Sequence, residues 1–333
     1  MDFWVGKRNQ FPVQIDMHVH MVGNGVGGSG AWLRLKGWHR VLAGFMVRQL
    51  GMPPGALEGE LEAIYSEHLL ELVRTSSLDA VVLLAHERVY DCDGTRRDDL
   101  GSMFLPNDVV LGLASQYPEF LAGVSIHPAR PDALEELERC LENGAVLMKC
   151  LPNCQNIDMS DRRYIPFWKR MAEAHLPLLA HTGGEHTVPI VNKKFADPRL
   201  LRTPLECGVT VIAAHCGTSS GAFDRDYFDD WTTMLQDFPN LYGDTSALVS
   251  INRCGHLLDC RRNHIEPRIL HGSDFPVPVL GHRLWLNQSL DGESFHRLQK
   301  IENPLERDIQ FKKALGFSDP VFTRAAELLR LGQ

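Results

Sequence analysis

The feature that most constrains the fold is a repeating alternation of short, apolar, β-rich segments with helical ones. Eight β-rich segments occur, at residues 14–20, 79–86, 120–128, 145–152, 176–184, 209–217, 240–248 and 268–276. Most are apolar along their whole length, which is typical of parallel strands that are buried on both faces. The segments between them carry apolar residues at helical spacing, as in residues 60–76. Strand–helix repeats in this number and over this length predict a (β/α)8 TIM barrel.

The repeats follow one another without a linker, so we predict a single domain over residues 1–333. Two regions exceed the repeat. Residues 21–59 form an insertion after the first strand, and residues 277–333 form a C-terminal extension that we expect to be helical and to pack against the barrel. Because the loops that follow the strands lie at the catalytic face of such barrels, the insertion is interpreted either as a lid or substrate wall, or as an oligomerisation arm.

Composition narrows the class of partner. The net charge is −8 with histidine counted as neutral, which disfavours nucleic acid. The apolar runs are shorter than the ~18 residues that a membrane helix needs. The eight cysteines form no C-x-x-C pair, and several lie within apolar runs, which indicates reduced thiols in a cytoplasmic protein. We therefore expect a small-molecule substrate and neither a nucleic-acid nor a membrane partner, with a homodimer as the default assembly.

Titratable side chains stand at the ends of these otherwise apolar strands. His18 and His20 are two residues apart and therefore project from the same face of the first strand. The later strands end in His86, His127, His181, His215 and Asp274, and Lys149 lies within the fourth strand. Such groups are costly to bury without a partner. Imidazoles with one carboxylate suit Zn²⁺ or another divalent transition metal, whereas His86 or His127 taken alone is better explained as a buried histidine that bonds a backbone carbonyl.

The combination resembles the active site of a known family. An H-x-H pair on strand one, histidines on strands five and six, and an aspartate on strand eight form the pattern of the amidohydrolase superfamily. The segment GSDFP at residues 272–276 is similar to the strand-eight signature of its "amidohydrolase 2" branch. The resemblance covers approximately residues 14–276. It implies a (β/α)8 fold, a metal at the barrel mouth, and a metal-bound water that is activated by Asp274.

On this basis we predict that His18, His20 and Asp274 hold the metal, with His181 as a further ligand. The ion would lower the pKa of its water, and Asp274 would take the proton and return it to the leaving group. His215 has two interpretations, because it either completes a second metal site or hydrogen-bonds the hydroxide and the developing oxyanion. We expect one ion rather than two, with Zn²⁺ or a similar divalent metal as the cofactor.

Lys149 also has two interpretations. In one group of the superfamily the strand-four lysine is carbamylated and bridges two metals as a ligand, whereas in other members a lysine here serves the substrate or supports the ligands. We predict the unmodified form, whose ammonium would suit a carboxylate-bearing substrate. The remaining candidates are substrate contacts at His86, His127 and Glu185, carboxylate clamps at Arg163 and Arg253, and an orienting role for Asp244.

A competing pattern lies directly after the first strand. Gly23, Gly25 and Gly28 match G-x-G-x-x-G, which occurs in dinucleotide-binding folds. Such a fold needs the glycines to open into a helix and an acidic residue about 20 positions further on. Residues 47–49 are Val, Arg and Gln, so the match is interpreted as fortuitous. We interpret the glycines as a mobile segment beside the metal site.

These observations favour an enzyme over a binding protein, because a non-catalytic barrel does not need the complete set of histidines together with Asp274. The leading hypothesis is a metal-dependent hydrolase that cleaves a lactone, ester or amide bond in a small, carboxylate-bearing molecule. The alternative is a metal-dependent non-oxidative decarboxylase of an aromatic or muconate-type acid, since several members of this branch have that activity. Product analysis distinguishes the two.

Overall fold

The computed structural model describes residues 12–35, 37–53, 55–221, 224–250, 253–329 and 331. The first eleven positions of the predicted domain, and single positions of the insertion and of the C-terminal extension, lie outside the described residues. Among the helices that are described, none combines the length and the apolar character that crossing a membrane requires.

The described strands confirm the predicted repeat. They are β1 (Ile15–His20), β2 (Trp32–Leu33), β3 (Ala80–Leu84), β4 (Met103–Phe104), β5 (Phe120–Val124), β6 (Ala145–Cys150), β7 (Leu178–His181), β8 (Val211–Ala214), β9 (Leu241–Asp244) and β10 (Ile269–Leu270). Eight of them form one parallel sheet in the order β1-β3-β5-β6-β7-β8-β9-β10, while β2 and β4 pair antiparallel outside it. Each strand of the eight-stranded sheet lies within one of the predicted segments.

The sheet closes on itself as a barrel. The carbonyl oxygen of His271 accepts from the amide of Met17 at 3.2 Å, and the carbonyl of Phe275 accepts from the amide of His20 at 2.8 Å. The amide of Asp274 donates to the carbonyl of His18 at 2.9 Å. The segment that follows the last strand is therefore hydrogen-bonded to the first strand, which places Asp274 next to His18 and His20.

Burial on both faces explains why the strands are apolar throughout. Ile15, Met17 and Val82 belong to a buried cluster inside the barrel. Val81 and Leu83, which alternate with Val82 along β3, belong instead to the cluster between the strands and the surrounding helices. Successive side chains of a strand point to opposite faces, so both faces of each strand are covered by apolar side chains.

The helices surround the barrel and form its C-terminal extension. They are α1 (Trp38–Gln49), α2 (Leu61–Arg74), α3 (Asn107–Gln116), α4 (Ala133–Glu142), α5 (Pro152–Gln155), α6 (Ile165–Glu173), α7 (Arg202–Glu206), α8 (Phe228–Asp237), α9 (His282–Leu286), α10 (Gly292–Gln299), α11 (Pro304–Ala314) and α12 (Asp319–Leu328). The side chain of Asn303 caps α11 by accepting from the amides of Leu305 and Glu306. In α12, Ala325 and Ala326 pack into the cluster inside the barrel, so the extension is helical and covers one end of the barrel.

The glycine-rich segment does not begin a helix, which agrees with rejecting a dinucleotide site. Gly25 has a φ of 78°, a left-handed conformation that favours glycine. The Glu62 side chain accepts from the Gly25 amide at 2.9 Å and also from the Ser29 hydroxyl. The segment that we expected to be mobile is thus a series of turns held by a carboxylate from α2.

Candidate metal centre

The predicted metal ligands come from strand ends at one face of the barrel. His18 and His20 lie on β1, and His181 is the last residue of β7. His215 follows β8 directly, and Asp274 lies in the loop after β10. His215 and Asp274 have φ values of 60° and 66°. These left-handed conformations are uncommon for residues other than glycine, and they persist only where the surroundings hold them. Both residues therefore occupy sharp, constrained turns, His215 directly after β8 and Asp274 in the loop after β10.

Asp274 lies at the centre of the cluster. Its Oδ1 atom is 3.2 Å from His18 Nε2 and 3.2 Å from His20 Nε2. The two histidine Nε2 atoms are themselves 3.2 Å apart. Donor atoms of His18, His215 and Asp274 all lie within 4.8 Å of one another, a spacing that one cation can bridge.

His215 joins the remaining histidine to this group. Its Nε2 atom lies 3.3 Å from Nδ1 of His181, and its ring centroid lies 5.3 Å from that of His18. The structure therefore brings together all five residues that the sequence analysis selected for the centre, although they come from widely separated parts of the chain. Their individual roles remain predictions.

The outward nitrogens of three histidines are held by hydrogen bonds. His18 Nδ1 lies 2.7 Å from Asp244 Oδ2, and His181 Nε2 lies 3.2 Å from the Gly184 carbonyl oxygen. His215 Nδ1 lies 2.9 Å from the Ser246 carbonyl oxygen. Because these oxygens accept, each outward nitrogen carries the hydrogen and the opposite nitrogen presents a lone pair to the centre.

Asp244 therefore has the orienting role that we expected of it. Its second oxygen, Oδ1, accepts from the His215 amide at 2.7 Å and from the Ser246 hydroxyl at 2.5 Å. Sequence reasoning missed Ser246 as a partner of His215. The signal was its position two residues after Asp244, which places both side chains on one side of the same strand end.

The electrostatics suit a cation. Burial lowers the pKa of His18 to about 4 and that of His181 to about 3, and burial also lowers the pKa of His215 well below its ordinary value. Burial acts to raise the pKa of Asp274, but His18, His20 and Lys149 outweigh it, so that the net shift is downward. At neutral pH the imidazoles of His18, His181 and His215 are then neutral with inward lone pairs, and they lie beside one carboxylate. This donor set fits Zn²⁺ or another divalent transition metal.

A cavity opens beside the centre. Its polar lining is provided by His20, His86, His181, Glu185, Thr187, His215 and Asp274. Apolar side chains cover most of the remaining wall, among them Leu35 and Ala43 from the insertion. The insertion thus contributes to a wall of the cavity, and of the predicted substrate contacts His86 and Glu185 line it.

The Glu185 carboxylate is fixed in this wall. Its Oε1 atom accepts from the amide and the hydroxyl of Thr187 at 2.5 Å each and from the Val188 amide at 3.1 Å. Its Oε2 atom lies 3.6 Å from His181 Nε2, which is too far for a hydrogen bond. A negatively charged group therefore lies next to the ligand cluster, and its Oε2 atom accepts no hydrogen bond from the residues that the structure describes.

Lys149 does not face the cavity as we expected. The side chain is fully buried, and its Nζ atom lies 2.9 Å from His18 Nε2. Burial lowers the pKa of this amine. The amine thus contacts the ligand cluster and does not line the cavity, and the sequence-based argument for a carboxylate-bearing substrate loses its main support.

Two further candidates, His127 and Arg163, do not line the cavity. His127 is a buried histidine whose Nε2 lies 3.0 Å from the Gln155 carbonyl and whose Nδ1 accepts from the Ala129 amide at 3.1 Å. Both ring nitrogens are occupied by the backbone, so the predicted substrate contact is not supported. Arg163 is exposed and bonds Asp161, which removes it as a carboxylate clamp.

Arg253 is buried close to the centre, but its guanidinium donates to backbone oxygens. Nη1 donates to the Thr218 carbonyl at 3.0 Å, and Nη2 donates to the Gly184 carbonyl. The side chain ties the loop after β7 to the loop after β8. The guanidinium of Arg253 therefore holds the scaffold together. The sequence analysis had instead predicted that it binds a substrate carboxylate.

Comparison with known proteins agrees with this geometry. The family model described as "Amidohydrolase", which represents the amidohydrolase 2 branch, matches residues 15–293. The chain belongs to the amidohydrolase family. A curated relative of this amidohydrolase is the 2-keto-4-carboxy-3-hexenedioate hydratase of a Sphingobium species, which is 25% identical over 207 residues. The match spans 53% of this chain and 58% of the length of that relative.

Solved structures share the whole fold of this amidohydrolase at low sequence identity. An uncharacterized TIM-barrel protein from Bordetella bronchiseptica has a TM-score of 0.61 and 16% identity, covering 95% of this chain and 99% of its own. A putative 2-pyrone-4,6-dicarboxylic acid hydrolase from Pseudomonas putida has a TM-score of 0.54 and 15% identity, covering 97% and 99%. A dihydroxybenzoic acid decarboxylase from a Polaromonas species, with bound manganese, has a TM-score of 0.55 and 16% identity, covering 97% and 98%.

Proposed function

We propose that this amidohydrolase is a metal-dependent hydrolase that cleaves an ester, lactone or amide bond in a small molecule with a largely apolar body. The observation that carries the proposal is the position of Asp274, whose Oδ1 lies 3.2 Å from Nε2 of both His18 and His20 while its side chain also lines the cavity. A carboxylate in this position can touch a cation held by the histidines and can also accept a proton from a water molecule in the cavity.

The chain's own residues supply the proton transfers. A divalent cation, when bound, lowers the pKa of a coordinated water toward neutrality and polarises a substrate carbonyl. The pKa of Asp274 lies below its usual range, so the carboxylate is ionised at neutral pH and is ready to take a proton. The same group can then return that proton to the departing alcohol or amine.

The bonding of His215 disfavours a role as hydrogen-bond donor to the hydroxide and favours a role as a metal ligand, here of the same single ion and not of a second site. Its Nδ1 atom lies 2.9 Å from the Ser246 carbonyl oxygen, and a carbonyl only accepts. Nδ1 therefore carries the ring proton, and Nε2 has a lone pair instead of a hydrogen to donate. We propose His215 as a ligand, together with His18, His20, His181 and Asp274, of one Zn²⁺ or a similar divalent ion.

The cavity lining indicates the class of substrate. The wall is mostly apolar, it contains the Glu185 carboxylate, and no Lys or Arg among the described side chains lines it. A carboxylate on the substrate would therefore lie at short range from the Glu185 carboxylate, which is unfavourable in a partly buried site. We propose an uncharged substrate, or one with a hydroxyl or amine directed at Glu185.

Decarboxylation of an aromatic or muconate-type acid is the second candidate. The Polaromonas neighbour bears the name of a decarboxylase, but its similarity supports the fold alone. The named activity of the curated Sphingobium relative is hydration, a reaction that also consumes water. The water-consuming reaction, the ionised Asp274 and the acidic cavity wall together favour hydrolysis.

A labelled-water assay tests the proposal. Protein stripped by a chelator and reloaded with Zn²⁺ is incubated in H₂¹⁸O with aryl esters, lactones and anilides, and separately with hydroxybenzoates. We expect hydrolysis of uncharged esters or lactones, with ¹⁸O in the product carboxylate and loss of turnover on metal removal. Release of carbon dioxide from a hydroxybenzoate, without hydrolysis of any ester, lactone or anilide, would overturn the proposal in favour of the decarboxylase.

A further inference from the structure

We propose that Lys312, on the C-terminal helix α11, is a positioning residue for Asp274 and thereby tunes the affinity of the metal centre. The inference rests on the proposed function only in assuming that the cluster binds a divalent cation. Lys312 lies outside the barrel pattern, and its side chain touches neither the cavity nor the ligand atoms in the described structure. The hydrogen bonds that connect Lys312 to Asp274 run through the backbone segment that carries Asp274.

The first link is a hydrogen bond from Lys312 to the segment that precedes Asp274. Lys312 is completely buried, and its Nζ atom donates to the Gly272 carbonyl at 2.8 Å. The same ammonium pairs with the buried Asp308 one helical turn away. It also lies 3.5 Å from Nδ1 of His271. One buried cation thus joins α11 to two consecutive residues of the segment that follows β10.

The second link holds the same segment from the side of β1. Asp16 Oδ1 accepts from the amide of His18 at 3.0 Å and from the amide of Ser273 at 3.0 Å. The Asp274 amide in turn donates to the His18 carbonyl. Residues 272–274 are therefore held between β1 and α11, with every residue of the three bonded to one of these elements.

Two features show why this segment needs to be held. Asp274 has a left-handed φ of 66°, a conformation that relaxes unless surrounding contacts maintain it. Gly272 lies so close to β1 that an added Cβ atom would be 2.8 Å from the His18 Cβ. Loss of the Lys312 bond would free the Gly272 carbonyl at this point of close approach and allow the Asp274 carboxylate to move relative to His18.

Stability alone does not account for the buried pair. Replacing a buried ion pair with apolar residues of similar volume is often neutral or stabilising. The pair of Lys312 and Asp308 lies beneath the turn of residues 272–274, and the Lys312 ammonium donates to the Gly272 carbonyl of that turn. We infer that its contribution is to place the carboxylate accurately.

The test compares variants by zinc affinity, measured by chelator competition on the full chain. The double variant Asp308→Leu/Lys312→Met removes both charges without leaving one unpaired, and we expect it to bind Zn²⁺ at least ~10-fold more weakly, as for other outer partners of metal ligands. Asp308→Asn breaks the ion pair but keeps the Lys312 bond to Gly272, so its zinc affinity should stay within about twofold of wild type. A second double variant, Asp308→Asn/Lys312→Met, also leaves no buried charge unpaired, should weaken binding as the first does, and serves where the first does not fold.

A matched control separates positioning from general loss of stability. Leu137→Ala opens a cavity in α4, a helix of the barrel wall in which Leu137 is fully buried, and it should lower the melting temperature without changing zinc affinity. Unchanged zinc affinity in the folded Lys312 variants would overturn the inference, and so would an equal loss of affinity in Leu137→Ala. Because the readout is metal affinity, failure of the wild type to hydrolyse any ester would count against the proposed function and not against Lys312.

Discussion

His18 Nδ1 lies 2.7 Å from Asp244 Oδ2, and this bond determines which side of the His18 ring faces Asp274. An ionised aspartate accepts hydrogen bonds and cannot donate them. Asp244 therefore keeps the ring hydrogen of His18 on Nδ1 and leaves Nε2 with a lone pair. The pKa of Asp244 supports this: burial acts to raise it, but the adjoining His18, His215 and Ser246 side chains lower it by more. The two acidic residues therefore contact opposite sides of the His18 ring: Asp244 orients the ring through Nδ1, and Asp274 lies next to Nε2 at the centre.

Asp244→Asn should weaken metal binding although residue 244 is not itself a ligand. The asparagine amide can donate to His18 Nδ1, which transfers the ring proton to Nε2 and blocks the lone pair. We expect a 10- to 100-fold loss of zinc affinity, the usual range for such outer partners, as measured by chelator competition. Asp237→Asn, at an exposed ion pair with Arg202, is the matched control, and equal affinities in both variants would contradict the orienting role.

Asp274→Asn should abolish turnover while the barrel stays folded. The amide cannot accept a proton from water, so the proton-transfer contribution of about 10²- to 10⁴-fold should be lost from kcat. Circular dichroism and gel filtration check the fold, and the ester or lactone identified in the labelled-water assay provides the rate. A variant that keeps wild-type kcat would refute Asp274 as the base.

His86 should make the stability of the metal-free protein depend on pH. Burial, followed by the charge of His20, lowers its pKa to about 3, whereas the unfolded chain has the ordinary value of 6.5. The unfolded state then binds the extra proton first, so stability falls as the pH drops from about 6.5 toward 3. Between pH 7 and pH 5 this amounts to about 2 kcal/mol for the one group.

The corresponding measurement is denaturant unfolding of the wild type and His86→Gln at both pH values. Between pH 7 and pH 5 the free energy of unfolding of the wild type should fall by about 2 kcal/mol more than that of the variant, because the glutamine does not titrate. His264→Gln, at an exposed histidine, should retain the wild-type pH dependence. Parallel losses in the wild type and His86→Gln would show that His86 does not titrate as its burial requires.

Glu185→Gln should change which ligands bind the zinc-loaded protein. Removing the negative charge while keeping the shape should improve binding of adipic monohydroxamate and reduce binding of 6-aminohexanoic hydroxamate, each by about 10-fold. Hexanoic hydroxamate should be nearly unaffected, since it reaches only the metal and the apolar wall. Isothermal titration calorimetry provides the affinities, with Glu173→Gln on the exposed face of α6 as the control. Wild-type preference for the carboxylate ligand would contradict the proposed substrate class.

The barrel and the identity of the central residues were predictable from local patterns. Apolar runs such as residues 79–86 indicate strands buried on both faces, because each face contributes its own hydrophobic residues. The H-x-H spacing places His18 and His20 on one side of β1 through the twofold period of a strand. Parallel strands of a closed barrel end at the same face, so His181, His215 and Asp274 had to lie near them.

The directions and partners of individual side chains were decided by the tertiary structure. Lys149 and His127 were predicted to meet the substrate, yet Lys149 Nζ contacts His18 and His127 is occupied by backbone groups. Asp308 and Lys312 have the i, i+4 spacing that is common for ion pairs on helix surfaces, but α11 buries them beneath the turn that carries Asp274. Strand period and strand order follow from local chemistry, whereas hydrogen-bond partners depend on ångström-scale packing between segments that are distant in the chain.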